Sequence, residues 1–145
     1  MNQSNLLTLR EAIAEFHQKN ANLFATREIA PEAKEFFRCH DIAHVVFDCN
    51  TSLYGEGKVK LWTIFGTTLG FWQHLKGYAD AEALNLFKQY SFSHLLKNIF
   101  KILANMPRII ISAKHMSKPW PWHDHDRYLD MSLDAIRKEF NIKTL

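Results

Sequence analysis

The sequence predicts an all-α fold, a single-domain bundle of about six to seven helices over residues 1–145. Apolar residues recur at spacings of three and four through most of the chain, as they do on the buried face of a helix. Residues that commonly start helices precede several of these stretches. The one segment rich in β-branched side chains, residues 108–112, has no evident second segment to pair with, so we expect it to be helical.

The first helix is predicted over residues 8–19. Thr8 is followed three residues later by Glu11, which is the pattern of a capping box, in which each side chain accepts a hydrogen bond from the other residue's amide. A second helix is predicted over residues 31–48. It begins at Pro31, whose missing amide hydrogen is not needed in the first turn of a helix.

A break with three helix-capping side chains precedes the third helix: Asn50, Thr51 and Ser52. This helix is predicted from Leu53 toward Gly77. Later helices are predicted over residues 81–90, 92–106 and 127–140. Pro107 is expected to interrupt the helix before it, because proline lacks an amide hydrogen and its ring clashes with the preceding turn.

The loop predicted over residues 117–126 ends in the run His-Asp-His-Asp. Such a run could form a second metal site. A cap for the final helix, provided by Asp124 or Asp126, explains the two acids more simply. The imidazoles of His123 and His125 remain candidates to reach a ligand opening.

The most informative stretch is His40-Asp41-Ile-Ala-His44, followed by Glu56 at the start of the third helix. On a helix the two imidazoles lie one turn apart, with Asp41 about 100° away around the axis. The same face carries phenylalanines, so these polar groups are expected to be buried, and a shared divalent metal would satisfy them. We predict a metal site of His40, Asp41, His44 and Glu56. Asp41 is either a ligand or a group that orients an imidazole, and a hydrogen-bonded network without metal is the alternative.

The pattern His40-Asp41-x-x-His44, followed after eleven residues by Glu56, resembles the motif of the Coq4 family of ubiquinone-biosynthesis proteins, as in a short bacterial-type member. The resemblance covers roughly residues 35–60 and 120–142. It implies that the four motif positions hold a divalent metal, usually assigned as zinc. The set of imidazoles and carboxylates is equally compatible with iron or manganese. Asp41 and Glu56 are the candidate catalytic residues.

The resemblance implies a metal-dependent lyase that acts on a polyprenylated benzoate, removing the ring carboxylate and putting a hydroxyl in its place. It also implies a second class of function, a non-catalytic scaffold that binds a prenyl lipid and organises a quinone-biosynthesis enzyme complex. The expected partners are therefore a prenylated aromatic or isoprenoid lipid and other quinone-biosynthesis proteins. A metal phosphohydrolase with an adjacent His-Asp pair is a weaker alternative, because its further His and Asp would have to come from residues 123–126.

The charge and composition of the chain limit the classes of partner that it is expected to bind. The net charge of +3 is too small to indicate nucleic acid. Residues 83–123 contain no Asp or Glu but six Lys or Arg, which suits an anionic membrane surface or an acidic substrate, or else forms a solvated basic face. The many aromatic residues, eleven of them Phe, favour a large apolar cavity or an interface such as a homodimer.

Cysteine usage and hydropathy bear on location. Cys39 and Cys49 are ten residues apart on the predicted second helix, too far apart to bridge there, which favours a reducing compartment. No basic leader with an apolar core begins the sequence, and the longest apolar run, residues 61–72, is shorter than the roughly 20 residues that span a bilayer. We expect a cytoplasmic protein that can lie peripherally on the inner face of the plasma membrane.

Overall fold

A computed structural model describes residues 6–22, 31–71, 73 and 92–145, without the side chains of Glu32 and Phe92. The prediction of an all-α fold is confirmed, since these ranges contain α-helices, two short 3-10 turns and two isolated β-bridges, but no strand. The helices are α1 (Leu9–Lys19), α2 (Lys34–Val46), α3 (Leu53–Gly66), α4 (Phe92–Lys114) and α5 (Leu133–Phe140). The described residues thus contain five helices, against six to seven predicted for the whole chain, and the helix predicted over residues 81–90 lies outside the described residues.

Local capping signals place the starts of α1 and α3 as the sequence predicts, whereas α2 begins at Lys34, three residues after the predicted start. Thr8 Oγ1 accepts the Glu11 N–H at 3.3 Å, while Glu11 Oε2 accepts the Thr8 N–H at 2.8 Å, so the capping box of α1 is complete. Pro31 opens a 3-10 turn that runs directly into α2. At the start of α3, Ser52 Oγ accepts the Gly55 N–H at 3.1 Å.

The prediction that the third helix runs on toward Gly77 is wrong, because α3 ends at Gly66. Beyond Gly66, two backbone hydrogen bonds to Trp120 replace the hydrogen bonds of a continuing helix. The Trp120 N–H donates to the Gly66 carbonyl at 2.8 Å, and the Thr68 N–H donates to the Trp120 carbonyl at 2.9 Å. These contacts use backbone groups that a longer helix would need for itself.

The prediction that Pro107 interrupts a helix is also wrong, because α4 passes through it. Proline leaves the carbonyl of Leu103 without its usual amide partner. Both residues are exposed, so water can reach this turn. Beyond it the side chain of Ile109 is completely buried, and this packing favours continued helix. The prediction that residues 108–112 are helical is confirmed.

The final helix, α5, begins at Leu133 rather than at residue 127, and neither Asp124 nor Asp126 caps it. Ser132 is the cap, and its Oγ accepts the Ala135 N–H at 3.2 Å. Asp126 instead accepts a hydrogen bond from Arg38 Nη1 at 3.2 Å. The residues before α5 pair with the start of α1, where the Leu9 N–H donates to the Met131 carbonyl. Because that pairing requires a non-helical chain, the helix starts late.

Helix α2 lies at the centre of the described structure. It contacts α1, α3 and α5, and α4 packs along α3. Gly57 permits the close approach of α3 and α4, since a Cβ there would lie 2.2 Å from Ile102 Cδ1. In the core, Phe47 stacks on Trp62 with ring centroids 4.7 Å apart. Among the described helices, none combines the length and apolar character needed to cross a bilayer.

Candidate metal centre

Helix α2 carries three polar side chains into the core. His40, Asp41 and His44 have only 3%, 8% and 2% of their surfaces exposed, although each can carry a charge. The helix cannot turn them outward, because its residues from Cys39 to Val46 are all buried beneath neighbouring elements. Unpaired burial of such groups would cost several kcal/mol, about 2–7 for a neutral polar group and more for a charge. Their partners therefore determine what this part of the molecule can do.

Two imidazole nitrogens and one carboxylate group meet in a small triangle. His40 Nε2 lies 3.2 Å from His44 Nε2, and the two oxygens of Glu56 lie 3.3 Å from His40 Nε2 and 3.1 Å from His44 Nε2. Neighbouring ligands of a tetrahedral zinc, with bonds of about 2.0–2.1 Å, are about 3.3–3.4 Å apart. The separations in the triangle are therefore close to those between ligand atoms on one metal ion. His40, His44 and Glu56 are grouped as the predicted site requires.

Glu56 reaches this position because of the tight turn between α2 and α3. The Ser52 cap starts α3 in such a way that the carboxylate lies in its first turn. Gly55 makes the turn possible, since a Cβ there would lie 2.0 Å from the Asn50 carbonyl oxygen. The Glu56 side chain is 32% exposed, whereas the side chains of His40 and His44 are buried. The triangle therefore opens to solvent on the Glu56 side.

The tautomer of His44 makes the triangle hard to satisfy with protons. His44 Nδ1 lies 3.0 Å from the carbonyl oxygen of Cys49. A carbonyl can only accept, so Nδ1 carries the hydrogen, and in the neutral ring Nε2 is left with a bare lone pair. In that form the lone pair faces a Glu56 oxygen at 3.1 Å, which is also an acceptor, whereas a ring with hydrogen on both nitrogens would donate to Glu56 instead. A cation at the centre of the triangle would satisfy all three atoms together.

Burial and charge set the ionisation of two members of the triangle. Burial lowers the pKa of His40, and the neighbouring Glu56 carboxylate only partly opposes this. Burial alone would raise the pKa of Glu56, but the adjacent imidazoles of His40 and His44 outweigh it and hold that pKa well below its ordinary value. Both shifts favour the forms that bind metals, a neutral imidazole and an ionised carboxylate.

The fourth predicted residue, Asp41, lies apart from the triangle. Its Oδ2 is 3.2 Å from Nε2 of His17, which projects from α1. It does not share the group of ligand atoms formed by the other three. The imidazole that Asp41 contacts, His17, belongs to neither ligand group, so the two roles that the sequence left open for Asp41 both remain predictions.

Sequence reasoning missed the groups that hold the triangle in place. Phe16 of α1 stacks on the His44 ring, with centroids 5.3 Å apart. Arg137 of α5 donates to the last carbonyls of α2, those of Val45 and Val46, at 3.0 and 3.1 Å. A cation at the C-terminus of a helix is favourable. None of these contacts can be predicted from a spacing in the sequence. The one indication was that Phe16 and His17 lie on a predicted helix with an apolar face.

An apolar cavity of about 560 Å³ adjoins the triangle, between α3 and α4. Most of its wall is aliphatic, and its two charged residues are Glu56 and Lys60, one helical turn apart. Burial lowers the pKa of Lys60, while the Glu56 carboxylate opposes that shift. A volume of this size is typical of small-molecule sites. Comparison of the chain with protein-family models, with curated proteins and with solved structures gives no match in any of the three.

Proposed function

We propose that this protein is a metal-dependent enzyme of ubiquinone biosynthesis that replaces the ring carboxylate of a polyprenylated benzoate with a hydroxyl. The observation that carries the proposal is the triangle of His40, His44 and Glu56 at the edge of an apolar cavity. This arrangement puts a site for a cation beside a site for a hydrophobic molecule. The resemblance of the same residues to the Coq4 motif supports the choice of substrate.

The donor atoms fit a divalent metal. Two imidazoles and a carboxylate suit zinc, which we take as the first candidate, and they also suit ferrous iron and manganese. Such an ion would act as a Lewis acid that binds and polarises the substrate carboxylate. In the overall reaction the bond between the ring and its carboxylate breaks and CO₂ leaves. The oxygen of water is added to the ring carbon, and two electrons and two protons pass to an acceptor such as dioxygen.

The chain's own residues would bind and orient the substrate. Lys60 lines the cavity one turn from Glu56, so its ammonium group can pair with the substrate carboxylate or ring hydroxyl. Glu56 has the most exposed side chain of the triangle and is the candidate to accept a hydrogen bond from the incoming water and orient it. Asp41 is the candidate positioning residue. The aliphatic wall between α3 and α4 would receive the first part of the prenyl tail.

Helix α4 offers a way to reach a substrate that is dissolved in a membrane. Exposed apolar side chains lie along it, and exposed basic side chains lie among them. The apolar set is Leu96, Ile99, Phe100, Leu103 and Ile111, and the basic set is Lys97, Lys101, Arg108 and Lys114. This combination is typical of helices that lie in the surface of an anionic membrane. We propose that α4 docks on such a surface, with the cavity between α3 and α4 beside it.

A second candidate is a prenyl-lipid carrier or scaffold that performs no chemistry. The feature that favours it is the cavity itself, whose wall is almost entirely apolar. A holder of prenylated intermediates needs the cavity but does not need a metal. The two candidates differ in whether turnover depends on a cation.

The test is turnover by metal-free protein reconstituted separately with zinc, ferrous iron or manganese. The protein is incubated in air with a prenylated hydroxybenzoate, and CO₂ and the hydroxylated product are quantified. We expect product only in the presence of metal, and none with His44→Ala. Cys49→Ala is the matched control, because it changes a buried neighbour but keeps the carbonyl that bonds His44. Bound lipid without product under any metal would favour the scaffold.

A further inference from the structure

A second group of ligand-type side chains lies on another face of α2. Glu35 and Cys39 are one helical turn apart on that helix, and His125 comes from the segment that precedes the 3-10 turn Asp126–Tyr128. One ligand atom from each of the three lies within 4.8 Å of the other two. Helical spacing explains the first two residues. The third, His125, lies 86 positions after Cys39 in the sequence and is brought to this group by the fold.

His125 is the observation that points to a missing partner. It is completely buried, and its Nε2 has no hydrogen-bond partner among the described residues. The nearest carboxylate oxygen, Asp126 Oδ1, is 3.8 Å away, which is beyond hydrogen-bonding distance. Its Nδ1 lies 2.8 Å from the Trp122 carbonyl and must therefore carry the hydrogen. In the neutral ring, Nε2 therefore carries a lone pair in a fixed position. Histidines that bind metals have the same arrangement, with one nitrogen on the metal and the other donating a hydrogen bond.

We propose that Cys39 Sγ, His125 Nε2 and a Glu35 carboxylate oxygen form a second binding site for a thiophilic divalent cation of the zinc class. The distance from Cys39 Sγ to Glu35 Oε1 is 3.4 Å. Two ligands on one tetrahedral zinc, with bonds of about 2.0 and 2.3 Å, lie about 3.3–3.6 Å apart, so this pair already has the required separation. His125 Nε2 lies within 4.8 Å of both of these atoms. The carboxylate of Asp126 is the nearest candidate for a fourth ligand.

The charges of the site also suit a divalent ion. Arg38 currently bridges the two acids, donating to Glu35 at 2.9 and 3.0 Å and to Asp126 at 3.2 Å. When an ion displaces the thiol proton of Cys39, three negative charges face Arg38 and the divalent cation, and the total is zero. The alternative role for this group, a Cys-His nucleophile, is disfavoured because only 1% of Cys39 is exposed. The 52% exposure of the Glu35 side chain leaves an entry path for a small ion.

Such an ion would join α2 to the segment that carries His125. The adjacent Trp122 packs on Phe36, with centroids 5.6 Å apart, and Phe36 stacks on His40 of the first triangle. The second site is therefore structurally close to the first, but it shares no ligand with it. It goes beyond the proposed function and can be tested separately, because only the second site contains a thiol.

The experiment is titration of the full chain with Co²⁺ alone, followed by absorption spectroscopy. A thiolate ligand gives a near-ultraviolet charge-transfer band, which two imidazoles and a carboxylate do not give. We expect this band in the wild type and in Cys49→Ala, the matched buried cysteine, and we expect its loss in Cys39→Ala and in His125→Gln. His44→Ala should keep the band, so a failure of the first site would not be mistaken for a failure of the second. A wild type without the band, or a Cys39→Ala protein that keeps it, would overturn the proposal.

Arg38 provides a test in the opposite direction. Its guanidinium occupies the two carboxylates and repels an incoming cation. Arg38→Gln should therefore bind Co²⁺ at the thiolate site about tenfold more tightly than the wild type does. An affinity that is unchanged or weaker would contradict the proposed position of the ion. Circular dichroism of each variant checks that its helices remain formed.

Discussion

Replacing Glu56 by glutamine should change stability in opposite directions with and without metal. The substitution keeps the shape of the side chain but replaces the carboxylate with an amide that can donate. In the metal-free protein the lone pair of His44 Nε2 faces a Glu56 oxygen at 3.1 Å. The amide of Glu56→Gln can donate a hydrogen bond across that distance, so a contact between two acceptors becomes a satisfied one.

The expected magnitudes follow from these contacts. One net hydrogen bond is worth about 1 kcal/mol, so with a neutral His44 ring the metal-free variant should unfold about 4 °C higher than the wild type for a chain of this size. With free zinc at about 100 times its dissociation constant, the wild type gains about 2.7 kcal/mol. Loss of the anionic ligand should weaken binding at least about 100-fold, which reduces the gain to about 0.4 kcal/mol at the same zinc concentration.

The assay is thermal unfolding followed by circular dichroism, in a chelator and at fixed free zinc. Both proteins carry Cys39→Ala, so that zinc at the second site does not contribute. The opposite result would be a metal-free Glu56→Gln protein that is less stable than its parent by more than about 1.5 kcal/mol. That outcome would mean that a protonated imidazole pairs with Glu56, and that the triangle is a hydrogen-bonded network rather than a metal site.

Three further predictions concern the pH dependence, the start of α3 and the cavity. Burial raises the pKa of both Cys39 and Cys49 to about 12, whereas thiols in the unfolded chain ionise near 9. The two thiols therefore contribute their full share of the unfolding free energy below pH 9, and this share falls as the pH rises toward 12. Urea unfolding at pH 10 should show a loss of about 3 kcal/mol relative to pH 8, and the double alanine variant should lose less. Ser52→Ala removes the cap of α3 and should cost about 1 kcal/mol in the same assay, and an unchanged midpoint would contradict the observed cap. Lys60→Met should raise the KM for the benzoate about tenfold to 100-fold without changing metal content, and an unaltered KM would exclude Lys60 from substrate binding.

Sequence reasoning succeeded where the relevant interactions are local. The i and i+4 spacing of His40 and His44 fixes their separation once a helix forms, and that helix forms as predicted. Glu56 could be added because the Ser52 cap limits where α3 begins. Short-range geometry was sufficient to predict that these three side chains come together.

Long-range contacts explain the rest. Asp41 could not be assigned to His17 from spacing, because α1 has to pack on α2 first. The approach of His125 to Cys39 depends on a loop whose course is set by tertiary packing. In the same way, α3 ends at Gly66 because Trp120 bonds there, and α4 continues through Pro107 because the next turn is buried.

Zinc stoichiometry tests the triangle of His40, His44 and Glu56 most directly. Metal analysis and native mass spectrometry compare the Cys39→Ala protein with the same protein carrying His44→Ala, after both are loaded with zinc and freed of excess. We predict one zinc per chain in the first and none in the second, with equal helical content by circular dichroism. Equal zinc in the two proteins, or no zinc in either, would contradict a metal centre at this position.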